Sequence, residues 1–170
     1  MTTKNQNDGN LEQTTTEALD TSFNLTEDFK QDPLIPQGNY FGAVTEVKRD
    51  AEKFNLCWKV TLDGNGGYMN DGETPVDGSS VYVYNYFPKA SDRTEMTKGG
   101  KSTKFQSKVN MLKQFADALK VDMNTLEIID ESIANGDWIG KQVSVKVTVD
   151  EYPAGSGKFN NKGDKMVAAD

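Results

Sequence analysis

The sequence has no histidine and a single cysteine, Cys57, in 170 residues. Without histidine the commonest general base is missing. The Ser-His and Cys-His nucleophile pairs and every zinc site built on imidazole go with it. One thiol excludes an intrachain disulfide and a thiolate zinc site. Long hydrophobic runs are absent too: no stretch approaches the roughly 18 apolar residues that cross a bilayer. Met1 to Leu11 is polar and lacks the apolar segment of a secretory signal, so a cytoplasmic location is the expectation. No constellation of carboxylates and tyrosines stands out as catalytic machinery. The chain therefore reads as a non-enzymatic binding protein with no cofactor and no metal.

Net charge is −7, which by itself argues against a nucleic-acid partner. The charge is unevenly spread, however. Residues 1–37 hold two cations (Lys4, Lys30) against seven carboxylates, a net −5. Residues 88–113 hold Lys89, Arg93, Lys98, Lys101, Lys104, Lys108 and Lys113 against Asp92 and Glu95, a net +5. The chain is acidic mainly through its leader, and one internal stretch is basic.

Residues 1–33 are rich in Thr, Asn, Gln, Asp and Glu without a clean period, and are expected to be largely disordered. Leu19, Phe23, Leu25 and Phe29 are apolar spots within them. A domain is expected over 34–170. Asn39 to Lys48 is strand-like, with Phe41, Ala43 and Val47 on one face and Tyr40, Val44 and Glu46 on the other. In the second strand, Phe54, Leu56, Trp58, Val60 and Leu62 share a face. After a Gly/Asp/Asn loop over 63–79 comes a third strand, Ser80 to Phe87. In it Val81, Val83, Asn85 and Phe87 alternate with Tyr82, Tyr84 and Tyr86. Phe105, Val109, Leu112, Ala116 and Leu119 make an amphipathic helical stripe, with Ser102 or Thr103 as its N-cap. A short helical turn over Thr125 to Ile133, capped by Asn124, precedes a fourth strand of alternating valines, Val143 to Val149. A turn at Pro153 to Gly157 leads into a fifth strand, Lys158 to Val167. The order β-β-β-α-β-β predicts a mainly β fold: a five-stranded antiparallel barrel of the oligonucleotide/oligosaccharide-binding (OB) type, with its helix between strands 3 and 4.

The tyrosines carry the functional argument. At a spacing of two they share one face, opposite Val81 and Val83. If the valines are core, three rings face outward, as base stacking requires. The competing reading is structural: cross-strand pairs with wet hydroxyls. The cations of the loop that follows, Lys89, Arg93, Lys98, Lys101 and Lys104, suit phosphate neutralisation, although a merely solvated loop has the same composition. Lys48, Arg49, Lys59 and Lys146 are further candidates for phosphate. Tyr152 and Phe159 of the last hairpin are further candidates for stacking. Gly99-Gly100-Lys101-Ser102-Thr103 looks like a phosphate-binding loop but has Glu95 where the first glycine belongs; Gly155 to Lys158 has Tyr152 there. Nucleotide hydrolysis is excluded on that ground. The acidic loop 63–79 fails the calcium-loop spacing, with Tyr68 at its sixth position. Trp58 reads as core and Cys57 as a bystander.

Pro36-x-Gly38-x-Tyr40 opens the first strand. The helix Phe105 to Leu119 is followed by an acidic turn and then by Ile139-Gly140-Lys141-x-Val143-x-Val145-x-Val147. Over residues 34–167 this pattern resembles small phage-encoded single-stranded-DNA-binding proteins. The resemblance implies an OB barrel that coats unpaired DNA during phage replication or recombination, in the cytoplasm of an infected host cell, with weak sequence preference. The pattern departs at the acidic leader and at Asp170, where the sequence ends without the acidic tail through which many such proteins recruit partners. The leader is expected to stand in for that tail toward replication or recombination proteins, or to shield the groove as a DNA mimic. Single-stranded DNA is the expected partner, with RNA not distinguished, no membrane, and homodimerisation open. Two other readings use the tyrosine face differently: a protein-interaction or virion structural module, and a carbohydrate-binding barrel.

Overall fold

The computed structural model describes residues 17–169. The chain falls into two units, one ending at Gln31 and the other beginning at Asp32. The expected disorder of the leader falls, for residues 1–16, outside the described residues. Residues 17–31 are exposed throughout, Leu19, Phe23, Leu25 and Phe29 included. They contain one helical turn, α1 (Leu25–Asp28), whose Asn24 cap accepts from the Thr26 and Glu27 N–H groups.

The second unit is mainly β. Strands β1 (Gly38–Asp50), β2 (Asn55–Leu62), β3 (Ser80–Tyr86), β4 (Gln142–Glu151) and β5 (Phe159–Ala168) form one antiparallel sheet, ordered β3-β2-β1-β4-β5. Helices α2 (Lys104–Leu119) and α3 (Leu126–Asn135) lie between β3 and β4. Thr103 caps α2 and Thr125 caps α3, so the expected cap Asn124 lies one residue too early. Among the described residues no helix is long and apolar enough to cross a membrane.

The sheet order is that of the OB barrel, and two glycines let it curl. β1 pairs with β4 through Gly38–Ala43 and with β2 through Gly42–Asp50, so Gly42 and Ala43 have partners on both sides. A Cβ on Gly42 would lie 2.6 Å from the Thr61 carbonyl oxygen and 2.9 Å from Cγ1 of Val60. The end strands meet at Gly163 of β5, where a Cβ would lie 2.6 Å from Cγ2 of Val83 and 2.9 Å from the Tyr82 carbonyl oxygen. Only a residue without a side chain permits these approaches.

β1 carries a bulge between Val44 and Glu46. The extra residue resets the alternation, so Val44 and Val47, expected on opposite faces, are both buried. In β2 the expected face is core from Leu56 to Leu62. Phe54 is not part of it: it precedes the strand with a φ of 53° and its ring is exposed. Trp58 is fully buried. It stacks on Trp138 at 4.9 Å and meets Phe115 of α2 at 5.4 Å, so the helix region plugs one end of the core. Ile35, between two prolines, is also core. Its N–H donates to Oδ1 of Asn161 in β5 and its carbonyl accepts from Nδ2 of the same side chain, each at 2.8 Å. Leu34 exchanges hydrogen bonds with Asn70 of the 63–79 loop, so residues 34–35 strap that loop to β5.

Gly163→Ala is expected to cost about 1–3 kcal/mol in urea denaturation, because backbone lies behind the clash. Gly99→Ala, with nothing within 4 Å of the new atom, should be neutral or slightly stabilising. Equal effects at the two sites would show that β3 and β5 do not meet as described.

Candidate nucleic-acid interface

The register of the sheet builds a face. Glu46 pairs with Lys59 and Lys59 with Tyr82; Lys48 pairs with Cys57 and Cys57 with Tyr84; Asp50 pairs with Asn55 and Asn55 with Tyr86. Paired residues point to the same side, so three rows of side chains run across β1, β2 and β3 on the outside of the barrel. A fourth row is Thr45, Thr61 and Ser80, linked through their hydroxyls at 3.1 and 3.4 Å. The burial pattern of β3 alternates strictly. Val81, Val83 and Asn85 are inside, and Tyr82, Tyr84 and Tyr86 are 42%, 44% and 57% exposed.

The central ring neighbours Cys57. The thiol beside its hydroxyl first, and partial burial second, raise the Tyr84 phenol above its ordinary value. Burial raises the Cys57 thiol as well, with the Tyr84 contact opposing it. Both groups are neutral near pH 7, so the middle of the face carries no anion of its own. The face carries two carboxylates: Glu46, whose oxygen lies 3.5 Å from Nζ of Lys48, and Asp50, which accepts from the Glu52 and Lys53 N–H groups at 3.0 and 3.2 Å.

Past Tyr86 the chain enters the basic segment, and the structure divides its cations. Nζ of Lys89 sits 5.3 Å from the Phe54 ring centroid. Arg93 lies over the Phe105 ring at 3.8 Å. Lys104 pairs with Glu95 at 2.9 Å. Met96 bridges to Thr103, so residues 95–104 form a small hairpin. Lys98 and Lys101 stand exposed at its tip with no ion partner among the described residues. The hairpin is fastened at its base by Asp92, whose side chain is buried. That carboxylate accepts from Nζ of Lys108 and from the Lys89 N–H, both at 2.7 Å, and the Lys108 contact first holds it below its ordinary value.

Arg49 and Lys146 lie elsewhere. Arg49 forks onto Asp130 of α3 at 2.7 and 3.2 Å, which ties β1 to the helix and takes the guanidinium off the tyrosine rows. Lys146 of β4 pairs across from Lys165 and lies 4.0 Å from Asp164, on the β1–β4–β5 side of the barrel. Tyr152 and Phe159, 74% and 40% exposed, flank the β4–β5 turn. Glu151 holds that turn by accepting from the Gly155 and Gly157 N–H groups at 2.7 and 3.1 Å. The structure thus gathers Tyr82, Tyr84, Tyr86, Lys48 and Lys59 on one face, with Lys89 beyond its end. It does not bring Arg49 or Lys146 there. Sequence reasoning missed Phe54, an exposed ring next to the Tyr86 row, because simple alternation counted it into the core. No protein-family model matches this chain, and no curated protein matches its sequence.

The Asp92 ion pair gives a pH signature. A lowered carboxylate contributes stability that is complete above its ordinary value of 3.8 and is lost as pH falls through the lowered folded value. Lys108→Met is therefore expected to be less stable than the parent at neutral pH, with the difference shrinking on acidification. Urea titrations at several pH values check this, and a pH-independent difference would refute it.

Proposed function

We propose that the protein binds single-stranded nucleic acid, DNA in the first instance, by stacking bases on Tyr82, Tyr84 and Tyr86 and neutralising phosphates with lysines. The observation that carries this reading is the set of rows in which Tyr82 and Tyr84 share their outward face with Lys59, Cys57 and Lys48, and Tyr86, over the buried Asn55, continues the line of rings. Stacking on an aromatic platform is sequence-tolerant, because every base has a π-face, and contributes roughly 1–3 kcal/mol per base. Lys48 and Lys59 lie within the face, Lys89 at its end, and Lys98 and Lys101 on the projecting hairpin. These five suit backbone tracking better than Arg49 or Lys146, which are occupied elsewhere. Phosphate contacts and stacking do not read base edges, so sequence preference on this face is weak.

In this reading the acidic average of the chain does not oppose binding, because potentials are local. At physiological salt, charges more than about 8 Å apart in solvent are largely screened from one another. The coating of unpaired strands during phage replication or recombination belongs to the same proposal and rests on the resemblance. The contribution of the leader to partner recruitment is likewise proposed.

Titration of a labelled oligo-dT by fluorescence anisotropy tests the reading. With four to six phosphates contacted, log K is expected to fall against log salt with a slope of roughly −3 to −4. Tyr84→Ala is expected to weaken binding by about 1–3 kcal/mol with an unchanged melt. A salt-independent affinity, or a Tyr84→Ala protein that melts early and binds normally, would return the rings to a structural role. Glu46→Gln removes the carboxylate beside Lys48 and is expected to tighten binding severalfold at low salt; weaker binding would mean that the strand does not pass over Lys48 and Lys59.

A further inference from the structure

Beside the tyrosine face the structure holds a cavity of about 570 Å³, within the range of small-molecule sites. Its walls are the end of β3, the β1–β2 turn, α2 and α3. Phe54, Phe87, Leu112, Met123 and Leu126 supply apolar surface, and Asn124 sits among them. Two features connect this cavity to the rings. Phe87 follows Tyr86 directly and donates its N–H to the Phe54 carbonyl at 2.8 Å, while Asn55, next to Phe54, is the cross-strand partner of Tyr86. The line of rings therefore runs on from Tyr86 into the cavity wall. Lys89, over the Phe54 ring, places a cation at the junction.

Resting on the function proposed above, we propose that the cavity takes one nucleobase of the bound strand, turned out of the stack past Tyr86. The walls match the flat apolar faces of a base, and Lys89 is placed for the phosphate that precedes it. The Asn124 side-chain amide has no hydrogen-bond partner among the described residues. A carboxamide offers one donor and one acceptor side by side, the pairing that recognises the edge of adenine. This single position is therefore base-selective, whereas the tyrosine rows are not. At the rim Arg49 pairs with Asp130 and Lys113 with Asp117, the Asp122 carboxylate accepts from the Asn124 backbone N–H at 2.9 Å, and the Asn124 amide adds a neutral donor and acceptor beside them.

The test uses the full chain and two variants that fill the cavity from its rim, Leu126→Trp and Met123→Trp, with thermal melts to confirm folding. Oligo-dA binding is expected to weaken roughly tenfold in both, the scale of one lost base contact. Asn124→Ala is expected to reduce the preference for oligo-dA over oligo-dT. In a ¹⁵N spectrum of the wild-type chain, added deoxyadenosine monophosphate is expected to shift the Phe54, Phe87, Met123 and Leu126 amides, and deoxyribose phosphate to leave them unmoved. Two filled, folded variants that bind oligo-dA like the wild type overturn the base pocket while leaving the tyrosine face standing. A wild-type chain that binds neither oligomer overturns the face and the pocket with it. Shifts at these amides from an amphipathic Leu/Lys peptide, but none from the nucleotide, overturn the pocket in favour of a protein partner.

Discussion

The hydrogen bond from the Trp58 indole to Oδ1 of Asn85, 2.6 Å long and buried, fixes which way β3 faces. Asn85 is a polar residue at a core position, and its burial costs free energy unless it is satisfied. Trp58 satisfies it, and Trp58 is itself held between Trp138 and Phe115. A slip of β3 by one residue would expose Asn85, strand the indole N–H and turn Tyr82, Tyr84 and Tyr86 into the barrel. The outward row of rings is thus the other side of a core constraint. It does not depend on the tyrosines finding partners of their own.

The same economy governs the cations. Most are engaged before any ligand arrives: Arg49 by Asp130, Lys104 by Glu95, Lys108 by Asp92, Arg93 by the Phe105 ring. These contacts order the basic segment, and what they leave uncommitted within it is small and localised, the hairpin-tip lysines Lys98 and Lys101; on the face itself Lys59 has no ion partner among the described residues. Glu46 restrains the face proper, since any polyanion crossing it competes for Lys48. A surface so arranged favours a ligand with evenly spaced charges over a compact anion, because no one point on it holds a dense cluster of free ammonium groups.

Much of this was legible in the sequence, for a physical reason. Strict alternation in Val143–Val149 and in Val81–Tyr86 is a local signal that survives folding, because each strand has one buried and one wet side. The legible part stops where position depends on another strand. The bulge at Thr45 shifts the phase of β1 without any glycine or proline to announce it. Ile35, flanked by prolines, reads as a boundary and becomes core because Asn161 captures its backbone from 126 residues away. Arg49 looks like its neighbour Lys48, yet the two point to opposite sides, and only the position of α3 decides that Arg49 is spent on Asp130. Charge and ring content can be counted along a chain; which of them remain available is a property of the packed molecule.

The spacing of the rings bears on the kind of polynucleotide that fits. Residues two apart on a strand are separated by about 6.7 Å, twice the strand rise. Bases stacked in one strand of a duplex repeat at about 3.4 Å. A regular helix therefore cannot place successive bases on Tyr82, Tyr84 and Tyr86, whereas a strand pulled out to twice that rise can. Such a strand has already lost its own stacking, and in the proposed complex the protein rings replace it. On that proposal the geometry of one β-strand favours unpaired over paired nucleic acid at the rings, before charge enters.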